Sequence, residues 1–459
     1  MALMPITDSM FLIGETREHP LHIGALKVFE LPPGAGPEFV GALHRDMLES
    51  RNATPLFRRR PRRPVSRLGQ WAWTDDNQLD LEYHVRLSAL PTPGRIRELL
   101  ELISRLHARP LDRRRPLWEF HLVEGIEGDR FAMYTKMHHA LLDGVSALHL
   151  LRRAFSEDPE ARDMPPPWAL PRDENASEWS EGSESHVLAA SWRGMWAAAQ
   201  LVGDMAGLAP GLARAVNDML RSQAAMLPFQ APNSMFNAPI TGARRFAAQS
   251  WPVERLRSVG QAADVTVNDV MLAMVAGALR RYLLELDALP EQPLVAATPV
   301  WLRSDDAAGG TVGLILCGLA TQLADDVARL MEISGAMRRG KKFYEGMSPL
   351  QVTALSAIPI VPLLLHLLPR ALRITPPPFN VIISNVPGPQ KPLYFNGARM
   401  AGLYPVSVPY EGQALNITVT SYAGSLEFGL IACRESVPHM QRLLAHLEDT
   451  LLALEHAIR

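Results

Sequence analysis

A chain of 459 residues is several times the modal domain of ~100–150 residues, so two domains, each with its own core, are expected. Apolar residues make up 47% and charged residues 20%, at a mean hydropathy of −0.01, which excludes a chain disordered throughout and also a polytopic membrane protein. The 46 Lys and Arg nearly cancel the 48 Asp and Glu, so a net charge of −2 recruits no nucleic acid to the whole molecule and any affinity for anions has to be local.

The N-terminal MALMPITDSMFLIGETREHP has no basic residues ahead of its short apolar stretch and meets Asp8, Glu15 and Glu18 early, unlike an export signal. Next, His22 to Phe29 reads as a strand, and Arg95 to His107 as a helix, because Ile96, Leu99, Leu100 and Ile103 recur at three and four. Residues 156–186 are rich in Pro, Ser and acid without a sustained apolar period, and this stretch is expected to link a domain over 1–155 to another over 187–459.

Val187 to Leu227, with Trp192 and Trp196 and a break at Pro210-Gly211, predicts two helices with an apolar face. Met271, Met274, Val275, Ala278 and Tyr282 share one face of a helix from Val270 to Leu284. Leu294 to Leu302, Val312 to Leu323, Phe379 to Asn385 and Leu415 to Tyr422 read as extended, the last turning at Ala423-Gly424 into Leu426 to Ala432. The alternation predicts an α/β protein. Ile358 to Leu368, broken by Pro359, Pro362 and His366, falls short of the ~20 residues that cross a bilayer, so lipid would be met from the side. Two cysteines, Cys317 and Cys433, build no disulfide framework, and a reducing cytoplasm is expected.

The densest chemistry lies in Phe131 to Phe155, FAMYTKMHHALLDGVSALHLLRRAF. Its first seven residues suit a buried strand, and a helical period runs from about Ser146; between them stands His138-His139-Ala140-Leu141-Leu142-Asp143-Gly144. Adjacent residues of a strand project to opposite sides, so one histidine faces a cleft while the other points into structure. An imidazole with an unperturbed pKa near ~6.5 is the natural general base at neutral pH. Asp143 can fix the loop through a charged hydrogen bond, and Gly144 can take positive φ. The plain alternative, a structural His pair before an Asp-Gly turn, explains less of the pattern.

His138-His139-xxx-Asp143-Gly144 resembles the HHxxxDG signature of the CoA-dependent acyltransferase superfamily, and the chain is similar to the bacterial wax ester synthase/acyl-CoA:diacylglycerol acyltransferase family from Pro5-Ile6-Thr7-Asp8 to near its C-terminus. The supporting segments, in order, are Pro116-Leu117-Trp118-Glu119, Val267-Asn268-Asp269-Val270, Asn385-Val386-Pro387-Gly388-Pro389, and Leu415-Asn416-Ile417-Thr418 with Ser421-Tyr422. The resemblance implies a two-domain chloramphenicol-acetyltransferase-like fold, with mixed sheets flanked by helices and a tunnel between the domains. It implies that His139 takes the proton from an alcohol that attacks an acyl-CoA thioester, without an acyl-enzyme, with His138 in support. The acceptor would be a long-chain fatty alcohol or a diacylglycerol, worked on at the inner membrane face or at lipid inclusions.

By the same resemblance Asp143 is a scaffolding residue, and Asn268 and Asp269 match an Asn-Asp motif that acts directly or through local architecture. Thr266-x-x-Asp269 is also a capping box in its own right. Pro116 and Trp118 are expected to scaffold the strand before the histidines, and Asn385 to Pro389 to form a shaped turn. Trp301 stands where relatives usually carry a small residue, and Gly309-Gly310-Thr311 lacks their usual Asn, so the channel's shape is expected to differ.

Arg58, Arg59, Arg60, Arg62 and Arg63 precede Arg67, Trp71 and Trp73. They form a solvated basic loop, a phosphate contact for CoA, or a patch for anionic lipid worth ~1 kcal/mol per cation. No cofactor is expected, since acyl-CoA is a substrate. His107, His121, His149 and His366 have no ligand spacing, Gly335 to Lys342 misses the Ser/Thr of a Walker A loop, and GxSxG is absent. Two rival readings keep the fold: an amine or carrier-bound acceptor, as in peptide-synthetase condensation domains, or a non-catalytic lipid-droplet protein. The intact His139, Asp143 and Gly144 weigh against the second.

Overall fold

The computed structural model describes residues 2–4, 6–63, 71–142, 144–170, 231–302, 311–348, 351–352, 355–356 and 377–458. The segments Val187 to Leu227 and Ile358 to Leu368 lie outside them. In chain order the first half has β1 (Ala2–Leu3), α1 (Ile6–Gly14), β2 (His22–Glu30), α2 (Phe39–Glu49), α3 (Pro55–Arg58), β3 (Arg59–Arg62), β4 (Ala72–Asp75), α4 (Leu81–His84), β5 (Val85–Ala89), α5 (Ile96–His107), β6 (Trp118–Ile126), β7 (Arg130–His138) and α6 (Gly144–Ala154). Then follow β8 (Arg244–Pro252), α7 (Val253–Ala263), α8 (Val267–Glu285), β9 (Val295–Leu302), β10 (Thr311–Gly318), α9 (Asp326–Tyr344), β11 (Val381–Val386), β12 (Tyr394–Phe395), β13 (Ala398–Val406), β14 (Leu415–Tyr422), β15 (Ser425–Cys433) and α10 (Arg442–Ala457).

Two six-stranded sheets carry the architecture. One has the order β12-β13-β2-β7-β6-β5 and the other β10-β9-β11-β14-β15-β8. Both mix parallel and antiparallel pairs, such as β5 with β6 and β11 with β14 running parallel. β7 is buried along nearly its whole length, in keeping with a mostly apolar run that Thr135 and Lys136 interrupt. The turn at Ala423-Gly424, with φ of 44° and 87°, is the primed geometry that joins β14 to β15 without splaying them.

The domain division expected at 156–186 does not follow the sheets. β12 and β13, from the C-terminal half, complete the first sheet, β13 pairing antiparallel with β2 from Arg399↔Glu30 to Val406↔Gly24. Strand pairing is decided by distant partners, so local sequence gives no sign of it. Residues 156–170, expected to be linker, are anchored on the first half. Ser156 bridges to Tyr394, and the buried Trp168 ring lies 5.5 Å from Trp118 and donates its indole N–H to the Ser50 carbonyl.

The halves meet closely. A Cβ on Gly429 of β15 would stand 1.8 Å from the Pro405 carbonyl of β13, so only glycine permits this approach. α5 buries Leu99 and Ile103 against Phe246 of β8 and Ile431 of β15, and its Ser104 hydroxyl accepts the Phe246 N–H at 2.9 Å. α8, apolar on all sides, is the central helix under the second sheet, and its capping box joins Thr266 to Asp269.

Several histidines are buried as neutral rings. Burial pushes His107 down to about 3, with Lys136 adding to the effect, while its two nitrogens pair with the Tyr134 hydroxyl and the Ser407 carbonyl. Burial likewise pulls His84 down to about 4, and His22 lies well below its ordinary value. The unfolded chain protonates such rings below pH ~6.5 while the folded chain does not, so each costs about 2 kcal/mol of stability by pH ~5. Glu427, raised to about 7 by burial, works in the opposite direction but is one group against several. The expected outcome is a melting temperature that falls steeply from pH ~7 to pH ~5, measured by thermal denaturation followed by circular dichroism.

Candidate active site

The histidine pair is fixed by the end of β7. The His138 N–H donates to the Leu117 carbonyl and the His139 N–H to the Leu21 carbonyl, each at 3.0 Å, so both backbones are clamped by neighbouring chain. His138, paired in register with His22, shares with His22 and Lys136 the side of the sheet that meets α5. Its Nδ1 accepts the Ala140 N–H at 3.0 Å, which places its proton on Nε2, 3.4 Å from Glu15 Oε1. Glu15 in turn accepts the Leu21 N–H at 3.0 Å and takes a forked pair from Arg113 at 3.1 and 3.0 Å. Burial alone would raise the Glu15 carboxyl, but the bond and charge of His138, the Leu21 N–H and Arg113 outweigh it and hold it below its usual range.

His139 falls on the other face. Thr135 and Met137 of β7, with Ile23, Ala25 and Lys27 of β2, form one wall of a cavity of about 400 Å³ between the two sheets. α6 covers it with Ala147, Leu150 and Leu151, Phe155 follows just past its end, and the second sheet supplies Pro299, Val300, Trp301, Ser384, Asn385, Asn416, Thr418 and Thr420. Both walls are mostly hydrocarbon; Lys27 and Thr135 interrupt the first, and Ser384, Asn385, Asn416, Thr418 and Thr420 stand among Pro299, Val300, Trp301, Val312, Val386 and Pro387 on the second. His139 follows Met137 on the same face, one side-chain step of roughly 7 Å beyond. It does not itself line the cavity, which corrects the expectation of an open cleft at this ring. Phe11 stacks on it at 5.1 Å and 16°, and its Nε2 is shut off from solvent without a hydrogen-bond partner. Burial pushes the imidazole down to about 3, and the neighbouring His138 adds to the shift.

Of the other expected residues, Asp143 lies outside the described residues, and Gly144 opens α6. Asn268 accepts a hydrogen bond from Asn385 Nδ2 at 3.2 Å and so touches the cavity through that residue. The Asp269 carboxylate is taken up by the Thr266 N–H and the Ser334 hydroxyl, and belongs to the start of α8. Trp118 donates its indole N–H to the Phe57 carbonyl and lies between His84 and Trp168; the Pro116 carbonyl accepts the Trp118 N–H. Glu119 is held down at about 2; burial opposes this, and His121, Lys136 and Arg86 outweigh it.

The basic run is not a single patch. Arg59 to Arg62 form β3, paired with β4, rather than a loop. Arg59 is turned inward, its guanidinium 4.7 Å from the Trp73 ring and its Nη2 donating to the Leu141 carbonyl in the loop that follows His139. Arg60 donates to the Arg114 carbonyl, Arg58 ends α3, and Arg62 and Arg63 are exposed. Among the described residues no cluster of three or more His, Cys, Asp or Glu can hold a metal ion.

Residues 3–271 match the wax ester synthase/diacylglycerol acyltransferase catalytic domain, and residues 308–455 match the C-terminal domain of the same family. The chain belongs to this family. It is 51% identical over the full length of both chains to a putative diacylglycerol O-acyltransferase of Mycobacterium bovis, and 50% identical over 98% of this chain and 99% of the other to one of Mycobacterium tuberculosis. The solved wax ester synthase/diacylglycerol acyltransferase of Marinobacter aquaeolei superposes with a TM-score of 0.81 at 40% identity, covering 100% of both chains. The first condensation domain of the CDA synthetase, at 16% identity and a TM-score of 0.59 over 100% of this chain and 96% of the other, shares the fold. The protein is an acyl-CoA-dependent O-acyltransferase with the two-domain chloramphenicol-acetyltransferase-like architecture.

In this acyltransferase, sequence reasoning passed over Phe11 and Glu15, which flank the histidine pair from α1 and the residue after it. No local signal marks them, because a lone Phe and a lone Glu in an N-terminal segment carry no spacing. Glu15→Ala leaves Arg113, His138 and the Leu21 N–H without their shared acceptor. The expected cost is about 3 kcal/mol in urea unfolding, as for removal of one partner from a buried charge network.

Proposed function

We propose that His139 is the general base of the transfer. The neutral imidazole takes the proton of an alcohol hydroxyl, the oxygen attacks the thioester carbonyl, and the C–S bond of the resulting tetrahedral adduct breaks. The CoA thiolate leaves and recovers the proton from the imidazolium, giving an ester and CoA with no acyl-enzyme. One observation carries the reading: His138 is turned away from the cavity and engaged with Glu15, so that the next residue, His139, follows Met137 of the cavity wall by strand alternation. His139 Nε2 is closed to solvent, so the base meets substrate in a dry contact that disfavours hydrolysis of the thioester. The route draws on no metal or prosthetic group.

Diacylglycerol is the acceptor we favour, because close relatives are named for it, with long-chain alcohols as the second class. Such substrates partition into membranes, and the exposed Arg62 and Arg63 suit an anionic lipid surface at the inner membrane face or a lipid inclusion. Among the described residues no single helix is long and apolar enough to cross a membrane.

The test incubates the protein with palmitoyl-CoA and a thiol reagent, adding dipalmitoylglycerol, hexadecanol or an amine in turn. CoA release that depends on the alcohols supports the proposal, and dependence on the amine alone refutes it. His139→Ala is expected to lower kcat at least ~10²-fold without lowering the melting temperature. Because burial keeps the ring neutral, the acidic limb of kcat/KM, measured from pH ~8 downward, is expected well below the ~6.5 of a free imidazole.

A further inference from the structure

Lys27 puts an amine on a wall that is apolar apart from Thr135. It is 3% exposed, its side chain faces the cavity between the sheets, and its Nζ donates to Thr135 Oγ1 at 3.0 Å. Among the described residues it makes no ion pair, and burial with no carboxylate beside it pulls the amine down to about 7. The register places it at the cavity's far end. Ile23↔Met137 and Ala25↔Thr135 both line the space, whereas Met133, opposite Lys27, does not. Leu403 of β13, paired with Lys27, and Phe155 just past α6 close the same end. Four residues of strand separate Ile23 from Lys27, roughly 14 Å.

We infer that the Lys27–Thr135 pair is a polar end stop that sets the longest hydrocarbon chain the cavity accepts. The inference rests on the reading of this cavity as the substrate channel leading from His139. A methyl terminus that advances to Lys27 has to press on a buried amine or strip it from the Thr135 hydroxyl, and hydrocarbon offers that polar group no replacement partner. Short of that point each added methylene buried is worth about four-fold in affinity. Beyond it the gain stops.

The experiment measures kcat/KM along two series: octanoyl- to stearoyl-CoA with a fixed alcohol, then octanol to octadecanol with palmitoyl-CoA. Wild type is expected to show a break in one series, with the other chain lying elsewhere. In Lys27→Met and Lys27→Leu that break moves to longer chains, so that two further methylenes bring a roughly 16-fold gain, while Lys27→Arg keeps it in place. Two neutral variants of different shape guard against failure of one to fold. A break unmoved in either folded neutral variant, or a wild type that turns over alcohols without any break, overturns the end stop. Absence of alcohol-dependent CoA release from wild type would instead refute the channel reading itself.

Discussion

The ladder between β2 and β7 is the constraint on which the site depends. Its register, from Glu30↔Arg130 to His22↔His138, decides which residues of β7 face α5 and which face the cavity. A slip of one residue would exchange the two sets, sending Lys136 and His138 into the cavity and Thr135 and Met137 toward α5. The slip is prevented on the face toward α5. Lys136 is tied to the Leu106 and Arg109 carbonyls at the end of α5, and His138 is held between the Ala140 N–H and the Glu15 carboxylate. With His138 committed to structure, His139 is presented on the opposite side without a further device. The N-terminal segment contributes to both: Phe11 lies on the His139 ring, and Glu15 meets His138.

The second constraint is the exchange of strands between halves. Because β13 comes from the C-terminal half and pairs with β2, the two sheets cannot separate without breaking a ladder inside one of them. Gly429 against Pro405 and α5 against Phe246 then fix their spacing. The cavity lies between the facing sheets, and its lining is mostly hydrocarbon with a few polar groups. Ile23, Ala25 and Met137 present hydrocarbon, while Asn385, Asn416, Thr418 and Thr420 present amides and hydroxyls. A largely apolar lining with a few amides and hydroxyls suits molecules with a greasy tail and a polar reacting end.

Much of this was legible in the sequence wherever a signal was local. The helical period of Ile96 to His107, the apolar run of β7, the Ala423-Gly424 turn and the Thr266 to Asp269 box all depend on neighbours within a few positions, and all form as read. The adjacent histidines stood out because strand alternation alone sends them apart. What local pattern does not encode is partnership across the chain. Arg59 looked like its exposed neighbours Arg62 and Arg63, yet Trp73 and the Leu141 carbonyl turn it inward. The residues of β12 and β13 fell within the domain expected over 187–459 without being read as strands, and the division at 156–186 missed their place in the first sheet. Lys27 sat in an apolar strand with nothing to show that its side chain ends in a cavity.

The depressed basicity of His139 raises a question of mechanism, since a ring near 3 is a poor acceptor for an alcohol's proton when considered alone. Burial disfavours an isolated imidazolium, but in the proposed reaction the positive charge never forms alone. It develops as the alcohol oxygen attacks and negative charge builds on the thioester oxygen, so the two charges arise together within a few ångströms in a medium that screens them weakly. Their attraction there is several times what water would allow, and it grows only as the transition state is approached. The same burial that holds the resting base neutral thus makes its protonation depend on having acyl donor and alcohol in place, which couples proton transfer to acyl transfer and leaves a lone water molecule with little to gain.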